Sequence, residues 1–267
     1  MAGNDSTLLA IAASGSVRNY AEIASRLRAL EAELDARDGL VWFNRWYAAL
    51  TAALIDGARR HRFVEPSFVE RVACHAADRY FAALSAHLTD PGSGPSAWEP
   101  LLQARNVPGL LPVQHAIAGL NAHVNHALPV ALVSTFTELD EAPVRASPAH
   151  VDYCRVGSIL DRVLCDAAAW LSAGVSDELV SDELQLETVL TIWSSKHACE
   201  AAWAAAEVGW ALRVSPLISR HHLEALDRLV GLAGRSLLRP WHADAWQPAA
   251  QPPSAHLEHR PSLAPSR

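Results

Sequence analysis

Three histidines and three carboxamides crowd one short run of the chain: Gln114, His115, Asn121, His123, Asn125 and His126. Wound as a helix at about 100° per residue, Val113, Ile117, Leu120 and Val124 make an apolar stripe facing a core. On the opposite side lie His115, Gly119, Ala122 and His126, with His123 flanking them, while Gln114, Asn121 and Asn125 form a third line. A surface helix would carry Glu, Lys and Arg on its polar face, and this one carries none. Neutral polar groups beside Gly and Ala suit a partly buried surface, where each group must find a partner. The small residues leave room for a ligand between His115 and His126, or for another helix.

Imidazoles exchange protons near neutral pH, which makes His115, His123 and His126 acid/base candidates. Asn121, Asn125 and Gln114 would orient them or polarise a substrate carbonyl. Nine tryptophans are many for this length. Most fill a core, but Trp42, Trp46, Trp193 and Trp203 are also expected to line an apolar pocket, with Gly119 giving close approach and Arg45 and Tyr47 anchoring a polar end. The reading favours a metal-independent enzyme without a cofactor, acting on an apolar small molecule by acid/base or templated cyclisation or isomerisation chemistry. Two alternatives stay open. One is a zinc hydrolase using the same histidines, its further ligands drawn from His75, His150, Asp152 or His197. The other is a non-catalytic binding or interaction protein whose polar helix fixes a helix crossing. Against the hydrolase, the run holds no Asp, Glu or Cys, and H-E-x-x-H and paired E-x-x-H spacings are absent. Glycine-rich phosphate loops, the G-x-S-x-G elbow and the dinucleotide fingerprint are missing too.

The elements that must position these groups read as helices. Ile23, Leu27, Leu30 and Leu34 recur at helical spacing up to Asp38-Gly39, and Phe43, Tyr47, Leu50 and Leu54 repeat it in a second helix. The basic run Arg59-Arg60-His61-Arg62 closes that helix, where cations complement the dipole. Pro66 opens a third helix to about Leu88. Thr89–Pro95 is a loop, and Ser96 with Glu99 reads as a capping box for a short helix. The polar helix starts near Val113, and Pro129 is expected to end or kink it. Ser147-Pro148 and Ser215-Pro216 mark two further starts. Between them an alanine-rich helical stretch runs from about Asp177 to Arg213. No strand alternation or fixed-period repeat is visible. The expectation is an all-α, single-domain bundle of about seven helices over 17–239, after a flexible N-terminus (1–16) and before a disordered Pro/Ala/Ser-rich tail (240–267).

Composition bounds the partners. Half the 267 residues are hydrophobic and the net charge is −7, with no clustered basic surface for nucleic acid. Cys74, Cys154, Cys165 and Cys199 include no C-x-x-C pair and read as buried free thiols. No signal peptide is evident, and no run reaches the roughly 18 to 20 apolar residues of a bilayer span. A cytoplasmic protein is expected; the oligomeric state stays open.

Several motifs resemble an actinobacterial domain-of-unknown-function family, number 5995. They are Trp42-Phe43-Asn44-Arg45 with Tyr47, Phe68-Val69-Glu70-Arg71, Tyr80-Phe81-Ala82-Ala83-Leu84, Ala97-Trp98 with Pro100-Leu101, and the run from Gln114-His115 through Asn121-Ala122-His123-Val124-Asn125 to Leu128-Pro129. The likeness covers roughly residues 20 to 235. It implies an all-helical domain and brings no established activity. Two positions depart from the family pattern: Ala127 stands where an acid usually precedes Leu-Pro, and Cys199 where a basic residue often precedes the acid upstream of Trp203. Such departures fit a diverged copy recruited into specialised biosynthesis.

Overall fold

A computed structural model describes residues 2–171 and 195–239. Among them the chain is helical and contains no strand: α1 (Ala2–Ala12), α2 (Tyr20–Glu33), α3 (Leu40–Arg59), α4 (Pro66–Thr89), α5 (Glu99–Gln103), α6 (Pro112–Ala122), a π-helical segment (His123–Ala127), α7 (Leu128–Leu139), α8 (Pro148–Leu171), α9 (Ser195–Leu212) and α10 (Pro216–Leu237). The all-α expectation holds, with more helices than the seven read from periodicity. The first part of the expected 177–213 stretch and the 240–267 tail lie outside the described residues.

Helices α6 and α7, joined through the π segment, make one central shaft. Helices α3, α4, α5, α8, α9 and α10 all pack against it. Every residue of α6 is buried, so the polar face meets protein just as the apolar stripe does. Pro129 does not break the shaft. It has no N–H, and its ring crowds the carbonyl four residues back. Immediately before it the ladder has widened: Leu128 N–H bonds to His123 O, five residues back. The bulge therefore falls where proline would otherwise disrupt the regular pattern. By length and composition Pro112–Leu139 could cross a membrane, which the residue-by-residue reading missed, and 83% of its most apolar window is buried inside the fold.

Three other expectations change. The first residues, read as flexible, form α1, whose Leu8 and Ala12 enter the core because the helix packs on α4 and α2. Ser96 and Glu99 make no capping box. Asp227 of α10 instead accepts the Ser96 and Ala97 N–H groups at 2.8 and 2.9 Å. Glu99 bonds to Gln103 at 2.9 Å and His87 at 3.2 Å. The cysteines also divide: Cys74 and Cys199 are buried, Cys154 and Cys165 exposed.

Candidate functional site

The polar line along the shaft is mostly a seat for α10. Gln114 Nε2 donates to the Leu237 and Arg239 carbonyls at 2.9 and 2.7 Å, capping the end of that helix, while its Oε1 accepts the Leu111 N–H at 2.9 Å. Asn121 Nδ2 donates to Val230 O at 3.0 Å, and its Oδ1 accepts from Asn125 Nδ2 at 3.0 Å. His126 Nε2 lies 3.5 Å from Asp227 Oδ1. Burial lowers the His126 pKa, and the Asp227 charge opposes that shift. These four side chains, expected around a substrate, meet the backbone, a carboxylate and one another.

The small residues make room for helix α3. A Cβ on Gly119 would stand 2.3 Å from the Phe43 ring, and one on Gly39 would stand 2.2 Å from the His115 ring. The expected approach to the shaft is therefore made by Phe43, while Gly39, just before α3, accommodates the His115 imidazole. His115 and His126 face different neighbours, so neither shares a site with His123.

His123 is different. It is fully enclosed, with Tyr47, Trp46 and Phe43 rings at centroid distances of 4.6, 6.0 and 6.4 Å. It also lines a cavity of about 30 Å³ together with Ile23, Leu50, Phe68 and Leu128, with Tyr47 from α3 and Tyr153 from α8. Ala73 and Val156, both partly exposed, are also among its lining residues. His123 Nδ1 and Tyr47 Oη are buried and have no hydrogen-bond partner. Tyr153 Oη, equally buried, lies beside the Cys199 thiol. An unmet polar atom in an apolar wall is costly, and these two, from neighbouring helices, belong to residues that line one cavity.

Burial drives the electrostatics. The His123 pKa falls to about 3 and that of His115 to about 4, in both cases because the imidazolium would lose its hydration. Burial also raises Tyr47 and Tyr153 far above the usual phenol value. At neutral pH the cavity thus presents uncharged imidazole and phenol, good at hydrogen bonding and poor at carrying charge.

The remaining expected residues lie apart. Trp42 stacks on Trp170 at 6.2 Å and takes the Arg45 guanidinium on its face at 5.5 Å, and Arg45 pairs with Glu31 at 2.8 Å. Trp203 is buried against Phe136, His150 and Tyr153, its indole N–H donating to Glu207 at 3.1 Å. Trp193 lies outside the described residues. Among the suggested distant metal ligands, Asp152 caps the start of α4 through the Val64 and Glu65 N–H groups, and His75 pairs with Glu138 at 3.0 Å. Tyr153 escaped the sequence reading because its spacing on α8 matches that of ordinary core positions. A second concavity, an open groove of about 1070 Å³, runs beside α4 and includes Glu70, His75, Asp78 and Glu138. Glu70 and Asp78 there accept the Tyr20 and Val17 N–H groups, each at 2.9 Å, fixing the α1–α2 link to α4.

Comparison with known families gives one match, over residues 20–240, to a family of unknown function, DUF5995. No curated protein matches the chain, and no solved structure does.

Proposed function

We propose, for a chain that belongs to the family of unknown function DUF5995, that it is an enzyme of small-molecule metabolism whose apolar substrate is received at the His123 cavity. The observation that carries this reading is the pair of unmet buried polar atoms, His123 Nδ1 and Tyr47 Oη, on residues lining an otherwise apolar cavity. A single oxygen on a hydrocarbon framework would satisfy either. The empty space holds about one or two waters, so a larger molecule enters by parting α4 and α8 at Ala73 and Val156. With a pKa near 3, His123 is a weak base and is uncharged at neutral pH. This favours templating over proton shuttling: the wall shapes the substrate while neutral hydrogen bonds hold its polar end, as a cyclisation or isomerisation requires. The alternative, a non-catalytic role for the polar helix, is favoured for Gln114, Asn121 and Asn125 by their bonds to α10 and to each other.

Cyclohexanone and cyclohexane make a matched test, differing in one carbonyl. Ligand-detected NMR should show the ketone binding about 10-fold more tightly, the worth of one buried hydrogen bond. His123→Phe and Tyr47→Phe together should erase that preference. Equal binding of the two probes, or a preference untouched in the double variant, overturns the reading.

A further inference from the structure

On the outer side of α8, away from the cavity, three chemically different donors converge. His150 Nε2 and Cys154 Sγ, one helical turn apart on α8, stand 3.9 Å from each other. Glu200 Oε1, from α9, lies 3.8 Å from the sulfur and 3.9 Å from the ring nitrogen. Imidazole, thiolate and carboxylate are zinc's ordinary ligands, and bonds of about 2.0–2.3 Å put tetrahedral donors about 3.3–3.6 Å apart. The triangle needs to contract by only a few tenths of an ångström. We propose that His150, Cys154 and Glu200 form a site for a thiophilic divalent cation of the zinc class, with the fourth position left to water.

The surroundings hold the donors in place. Arg145 bonds to Glu200 Oε2 at 3.1 Å, so the carboxylate turns Oε1 toward the other two. Glu207 shares the same guanidinium at 3.0 Å, which leaves the arginine's charge divided between two acids. The His150 ring stands edge-on to the buried Trp203, 4.7 Å between centroids. His150 Nδ1 accepts the Ala146 N–H at 3.2 Å, so in the metal-free chain the neutral ring carries its proton on Nε2. Binding moves that proton to Nδ1 and releases the Cys154 thiol proton to solvent. The Ala146 bond is lost, but Ala146 is exposed and water takes it over. Carbon-bound positions do not change and no oxidant is involved. Three protein ligands with an open fourth place are the pattern of sites where zinc activates a water.

Cobalt reads the site directly, since a cobalt–thiolate bond gives an intense near-ultraviolet charge-transfer band. Titration of the full chain with Co²⁺ should produce that band at one equivalent, displaced by Zn²⁺ and accompanied by quenching of tryptophan emission. Cys154→Ser should abolish the band, and Cys165→Ser, altering the other exposed thiol, should leave it. Glu200→Ala should weaken cobalt binding by about 10-fold or more. The proposal is overturned by a wild-type chain that gives no thiolate band, by a band that survives Cys154→Ser, or by a Glu200→Ala variant that binds as tightly as the wild type.

Discussion

His115 and His123 are held neutral by burial: inside the fold their rings lack the water that an imidazolium needs. In the unfolded chain each would titrate near 6.5, against about 4 and about 3 in the fold. The unfolded state therefore binds more protons below pH 6.5, and stability falls as pH drops from there toward the folded values. At pH 5 each ring should remove on the order of 2 kcal/mol. Urea unfolding at pH 7 and pH 5 should show that loss, and His123→Leu should reduce it by about half. A flat profile over this range would mean that the rings are hydrated in the fold. Histidine at these positions was easy to see in the sequence, but its protonation state was not. Local spacing suggested acid/base work near neutral pH; complete enclosure by α3 and the shaft moves the pKa out of that range.

At the scale of elements, helix positions were legible because a 3.6-residue period survives in any amphipathic sequence. Helices α3 and α4 begin and end near where Gly39, the Arg59–Arg62 run and Pro66 place them. The faces of the polar helix were legible only as types. Nothing local could show that Asn121 and Gln114 answer to α10, whose residues lie more than a hundred positions away. The π segment was hidden for a related reason, since its five-residue hydrogen bond depends on how Pro129 is accommodated within the packed shaft. Asn121→Ala tests the seat for α10. It removes the donor to Val230 O and leaves Asn125 without its acceptor, a loss of about 1–3 kcal/mol. Hydrogen exchange should quicken along α10 and not along α2. Uniform exchange in both helices would show that α10 is held by its apolar contacts alone.

Taken whole, the molecule is a set of helices around a shaft, and its periphery contributes to the core more than composition suggested. Residues 1–16 read as a flexible lead, yet α1 closes one side of α4 and buries Leu8 at 1% exposure. Leu8→Ala should cost about 2–4 kcal/mol in denaturant unfolding. A change below about 0.5 kcal/mol, as expected of a surface position, would return the segment to the role of a loose lead. The family match begins only at residue 20, so α1 is a packing element outside the shared region. The candidate site splits along similar lines. Tyr47 and His123 come from stretches whose motifs stood out, whereas Tyr153 joins them only through the way α8 crosses the cavity.

The shaft also sets a problem of timing. Ribosomes deliver the chain from its N-terminus, so Pro112–Leu139, apolar enough to attract membrane or chaperone, emerges before α8, α9 and α10 exist to cover it. Until residues 216–239 follow, Gln114 and Asn121 lack the carbonyls they will eventually serve. The half-made protein thus exposes a strongly apolar element with its polar side unanswered, the condition under which nascent chains aggregate. Slower synthesis through α8 and α9 would lengthen that exposure, and the yield of native protein would then depend on translation speed as well as on the stability of the finished fold.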